Sequence, residues 1–79
     1  MIRKRRLNMS DLVRNLVEAC NAARQAGLDF PRIWREILQR HPLVTGAPVQ
    51  GIGEAGPHLE IPLFAGQVMM FDTSGFAIK

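Results

Sequence analysis

At Pro42 the chain changes its hydrophobic period, and this one switch constrains the fold more than any other feature. Before it, apolar residues recur every three or four positions. After it they alternate, and glycine and proline become frequent. A period of 3.6 marks helices with one buried face, and a period of 2 marks half-buried strands. Helices first and strands second define an α+β fold, here an N-terminal αα-hairpin packed on a C-terminal three- or four-stranded antiparallel β-sheet.

The first helix should begin near Asn8 or Ser10, either of which can accept a hydrogen bond from a first-turn amide, with Asp11 favourably placed at the positive end of the dipole. Leu12, Leu16, Ala19, Cys20, Ala23 and Ala26 form its apolar stripe, widened by Val13 and Val17, and Asn15, Glu18, Asn21 and Arg24 occupy the other side. Gly27 ends it, because glycine takes the left-handed cap conformation without a Cβ penalty. Asp29 is the expected N-cap of the second helix, Pro31 fits its first turn, and Leu28 and Ile33 have the spacing of a hydrophobic staple. Phe30, Ile33, Trp34, Ile37 and Leu38 read as its buried stripe, with Arg32, Arg35, Glu36, Gln39 and Arg40 outside, and Pro42 stops it after His41.

Strands are expected at 43–45, 48–52, 58–64, 67–72 and 76–78. Pro62 cannot donate to a ladder. A two-residue turn at 65–66 would place it opposite Met69 at a hydrogen-bonded site, so a four-residue loop at 64–67, closed by Leu63 and Val68, is the expected connection. Leu59, Ile61 and Leu63 would then face the helices with Val68 and Met70. The opposite face would carry Pro62, Phe64, Met69 and Phe71, an apolar patch that suits a protein partner or a second copy of the chain. The expected core centre is Leu12, Leu16, Cys20, Ile33, Trp34, Ile37, Leu59, Ile61 and Val68.

A chain of 79 residues buries only about 60–65% of its unfolded surface, which makes association a common supplement to a thin core. Its net charge of +3 is unevenly placed. Arg3, Lys4, Arg5 and Arg6 hold four of the ten cations, and the remainder carries six against seven anions. Residues 1–8 therefore read as a basic N-terminal arm, and 9–79 as one α+β domain whose body is not basic. The single cysteine, Cys20, sits mid-helix and offers no intrachain disulfide, which favours a reducing, cytoplasmic setting. Asp11, Arg14 and Glu18 interrupt the apolar run that a secretion signal would need after its basic start, and no stretch approaches the ~20 residues of a membrane span.

Chemistry-bearing motifs are sparse. Gly51-Ile-Gly53-Glu-Ala-Gly56 matches the GxGxxG dinucleotide pattern, but that fingerprint needs a helix after the glycines, and here Pro57 and a strand follow, so a hairpin loop is expected. Cys20, His41 and His58 lack the spacings that pre-form a metal site. No nucleophile elbow, phosphate loop or zinc-protease motif is present, and Glu54 and Glu60 have no carboxylate partner. No catalytic residue, metal or cofactor is expected, and the chain reads as a non-enzymatic interaction module. The alternative is a small nucleic-acid-binding accessory protein. In it Ala23, Gly27, Leu28 and Ile33 would space a helix-turn-helix, and Arg3, Lys4, Arg5 and Arg6 would join Arg32, Arg35 and Arg40 on phosphates and base edges.

Overall fold

The computed structural model describes residues 8–54 and 56–78. The basic cluster Arg3, Lys4, Arg5 and Arg6 lies outside the described residues. Helix α1 runs Met9–Gln25, with Asn8 Oδ1 accepting the Asp11 N–H at 2.8 Å. Its C-terminus is closed as the sequence requires. Gly27 has φ +97, its N–H donates to Arg24 O, and the Leu28 N–H reaches back to Ala23 O at 3.1 Å.

The second helix departs from expectation. Asp29 caps it, accepting the Arg32 N–H at 3.1 Å, but only Phe30–Ile33 (α2) is α-helical. The next turn, Trp34–Leu38, is a π-helix in which Gln39 N–H donates to Trp34 O at 2.7 Å. A π-turn takes about one residue more than an α-turn, so residues five apart fall on one face. Ile33 and Leu38 are both fully buried, while Trp34 and Ile37, expected at the centre of the core, are left half-buried.

The sheet has four antiparallel strands in sequence order, β1 (Val49–Gly53), β2 (Gly56–Pro62), β3 (Val68–Asp72) and β4 (Gly75–Ile78). The expected strand at 43–45 is reduced to a single bridge between Val44 and Leu63. Pro62 explains the gap that follows. Its carbonyl accepts the Thr45 N–H at 3.0 Å, but it has no N–H to return, and a Cβ on Gly46 would lie 3.3 Å from its ring. The chain detours past the proline before pairing resumes at Val49 opposite Glu60.

The loop between β2 and β3 decides which side chains are buried. It has three residues, not four: Leu63 N–H donates to Gln67 O at 2.8 Å, and Phe64, Ala65 and Gly66 form the turn. Ala65 (φ 64) and Gly66 (φ 76) are both left-handed. Pro62 pairs with Val68, Ile61 with Met69 and Leu59 with Phe71. A shift of one residue turns every β3 side chain over. Met69 and Phe71 therefore share the helix side of the sheet with Leu59, Ile61 and Leu63, and Val68 and Met70 share the outer side with Pro62. The expected outer patch is corrected accordingly: Met69 is 0% exposed, and Phe71 is half-buried against two other rings.

The core is built from Val13, Leu16 and Cys20 of α1, Ile33 and Leu38 beneath them, Leu43, and Ile61, Leu63, Met69 and Phe76 of the sheet side. Leu12, Leu59 and Val68 are half-buried and not central. Phe30, Phe71 and Phe76 form a compact aromatic group, with ring centroids 5.2 Å apart for Phe30–Phe71 and 4.4 Å for Phe71–Phe76.

One polar contact ties α1 to the sheet. Asn21, expected on the solvent side of α1, uses both ends of its amide on the β4 backbone: Phe76 N–H donates to Oδ1 at 2.9 Å, and Nδ2 donates to Phe76 O at 2.9 Å. Arg24 adds a bond to Ser74 O at 3.2 Å. Gly75 admits both side chains. Its φ is +121, and a Cβ there would lie 2.5 Å from Asn21 Oδ1.

Two expectations follow. Asn21→Ala leaves two backbone groups without partners, and Gly75→Ala clashes with the same amide, so each should cost about 1–3 kcal/mol in urea unfolding. Restoring a wild-type midpoint in either variant would mean that the clamp does not hold α1. Cys20 is fully buried and its burial pushes the thiol pKa up to about 11. It should resist a thiol-specific reagent at pH 8 in the native chain and react fully in denaturant.

Candidate functional site

The two edges of the sheet differ. At β4 the Asn21 amide occupies the outward N–H and C=O of Phe76, so this edge is partly closed by α1. At β1 every residue is exposed or half-exposed, and among the described residues β1 pairs with β2 alone. Val49 is 60% exposed and Ile52 87%. Among the described residues no lysine, bulge or covering helix blunts this strand, the usual devices that protect an edge from pairing with another chain.

The glycine pattern belongs to the same edge. Gly53 pairs with Gly56 to close the β1–β2 hairpin, and Gly56 takes φ +107. Gly51 and Gly53 share the outer face of the sheet with His58. A Cβ at Gly51 would lie 2.7 Å from His58 Nε2 and 2.6 Å from Glu60 Oε2, and one at Gly53 would lie 3.2 Å from the ring. The two glycines are the floor on which the imidazole rests. Its side chain is only 8% exposed, and Nε2 lies 2.9 Å from Glu60 Oε2. The GxG spacing thus serves side-chain packing across a hairpin.

On the helix side, α2 stops short of the far end of the sheet. This leaves a cleft of about 330 Å³ whose lining includes Gln50, Pro57, Leu59, Phe71 and Thr73. Its surroundings are apolar, and Ile52 stands on the same face as Gln50, two residues along β1. The β3–β4 turn bounds this end. Asp72 accepts bonds from the Ser74 N–H at 2.8 Å and from the Ser74 hydroxyl, which hold its carboxyl below the usual carboxylate range.

The residues singled out from sequence are dispersed. Pro62 is half-buried on the outer face, Phe64 is 54% exposed in the turn, and Met69 and Phe71 lie on the opposite side. They do not form one patch. Arg32, Arg35 and Arg40 are exposed, but Arg32 lies in a single α-turn, Arg35 in the π-turn after it and Arg40 beyond both, and Arg32 Nε is paired with Glu36 Oε2 at 3.1 Å. Sequence reading missed Gln50 and Ile52; the signal available was an uncharged Val49–Gly53 strand with alternating glycines. Among the described residues no three of His, Cys, Asp and Glu gather where they could hold a metal ion, and no helix is long and apolar enough to cross a membrane.

The Asp72 turn gives a pH expectation. Well above the ordinary aspartate pKa of about 4 the Asp72 carboxylate is charged in folded and unfolded chains alike, and its bonds to Ser74 contribute fully to stability. As pH falls through its lowered folded pKa, protonation removes that contribution. The difference in urea midpoint between the wild type and Asp72→Asn should therefore be present at pH 7 and close progressively below pH 4.

Compared with known proteins, the chain matches no protein family, no curated protein and no solved structure.

Proposed function

We propose that this protein is a non-enzymatic interaction module that binds by strand addition to β1. The observation that carries this reading is the asymmetry of the sheet. A side chain from α1 occupies the backbone of one edge strand, whereas the other edge is uncharged and exposed, and among the described residues nothing covers it. Strand addition supplies affinity through main-chain hydrogen bonds and specificity through the side chains that flank them. Here the flanking features are Ile52 and the cleft beside Leu59 and Phe71. The expectation of a sheet-based interface is kept, and its place moves from the outer face to the edge.

The test uses a proline. At an edge position whose N–H faces solvent, proline is tolerated by the sheet but blocks a further strand. Peptides selected from a random library on the immobilised chain should shift the backbone NMR signals of residues 49–53. They should bind Gln50→Pro at least about tenfold more weakly, with the urea midpoint of the variant unchanged. Equal binding to the variant, or shifts confined to Arg35 and Arg40, would overturn the reading. The second pattern would turn attention to nucleic acid, whose binding must fall steeply with salt.

A further inference from the structure

We infer that the strand received by β1 is β1 of a second copy, antiparallel about a two-fold axis at Gly51; this rests on the reading of β1 as the docking edge and names its partner. Backbone parity sets the register. Leu63 N–H donates to Gln67 O, and Pro62 O accepts from Thr45 N–H on the opposite side. Odd-numbered residues of β2 therefore point their N–H and C=O groups at β3, and even-numbered ones point toward β1. Val49 stands opposite Glu60 and Gly51 opposite His58, so these residues of β1 bond to β2. Gln50 and Ile52 are left pointing outward.

Only one antiparallel register pairs both outward residues within the strand. About a two-fold at Gly51, Gln50 of each copy faces Ile52 of the other, and the four outward N–H groups meet four outward C=O groups. Centring the axis on Gln50 would set Ile52 against Pro48, which has no N–H. Centring it on Ile52 would set Gln50 against Glu54, which lies in the turn beyond the strand. The register at Gly51 also sets Glu54 opposite Pro48 and not opposite a second carboxylate, so no like charges meet.

The side chains agree with the backbone. Residues directly opposed share a sheet face, so Ile52 of each copy lies beside Gln50 of the other, at the open side of the cleft formed with Leu59 and Phe71. Ile52, the most exposed large apolar side chain among the described residues at 87%, is thereby brought beside the other copy's Gln50, which lines that cleft. Closure is also built in. Pairing of β1 with the β4 of another copy would propagate as an open stack, but the Asn21 amide occupies the Phe76 backbone there. The isologous β1 contact closes at two copies.

The experiment measures amide exchange by NMR on the full chain over a hundredfold range of concentration, with light scattering on the same samples. The inference expects a rise to two copies, with the Gln50 and Ile52 amides slowing together at least about tenfold while the Gly51 amide, already bonded to β2, stays constant. Gln50→Pro should remain at one copy throughout. A wild-type chain that stays at one copy overturns the second-copy partner while leaving strand addition to be judged by the peptide selection. A two-copy state whose new protection falls outside residues 49–53 likewise overturns the β1 pairing of two copies, and strand addition is again judged by the peptide selection.

Discussion

The paired hydrogen bonds between Asn21 and the Phe76 backbone fix how the helical layer meets the sheet. Hydrophobic contact alone would let α1 slide or rotate over β4, because Val13, Leu16 and Cys20 present a smooth and rather small apolar stripe. An amide that both donates to and accepts from one peptide unit allows a single register. That register places the helical stripe over Phe76, which β3–β4 pairing sets opposite Phe71, and Phe30 of α2 stacks on both rings. The openness of β1 follows from where α1 is anchored. Gly75 is the concession that makes the anchor fit, since any side chain there would displace the amide.

Architecture was readable from sequence because its signals were redundant. The period change at Pro42, the caps at Asn8 and Asp29 and the stop at Gly27 each support the same two-layer plan, and each is realised. The facing of β3 was not readable, for a specific reason. Val68, Met69, Met70 and Phe71 are all apolar, so alternation carries no information about which side is buried. Only the loop length could decide it, and a three-residue turn with Ala65 in the left-handed region has no sequence mark that separates it from a four-residue one. The error of one residue moved Met69 and Phe71 from a presumed surface into the core side. The π-turn was hidden similarly: Ile33, Ile37 and Leu38 satisfy α and π spacing alike, so the apolar pattern does not distinguish the four-residue from the five-residue step.

Asn21 was hidden for another reason. A polar residue beside an apolar stripe ordinarily faces water, and nothing local distinguishes one that satisfies a strand fifty-five residues away. Long-range polar contacts of this kind leave no periodic trace. The candidate site shares the difficulty, because an edge is defined by what fails to cover it.

The composition of β1 gives the site its physical logic. A strand with glycine at two of five positions contributes little packing of its own, and among the described residues it is paired with β2 alone. Those glycines are required on the outer face, where His58 lies across them, so the strand cannot be strengthened there without evicting the imidazole. In the pairing proposed above, the stability that β1 lacks comes from the outward backbone of Gln50 and Ile52. A weak strand bordered by unused hydrogen-bonding groups gains most from a neighbour, and the neighbour that matches those groups in number, spacing and direction is the same strand reversed.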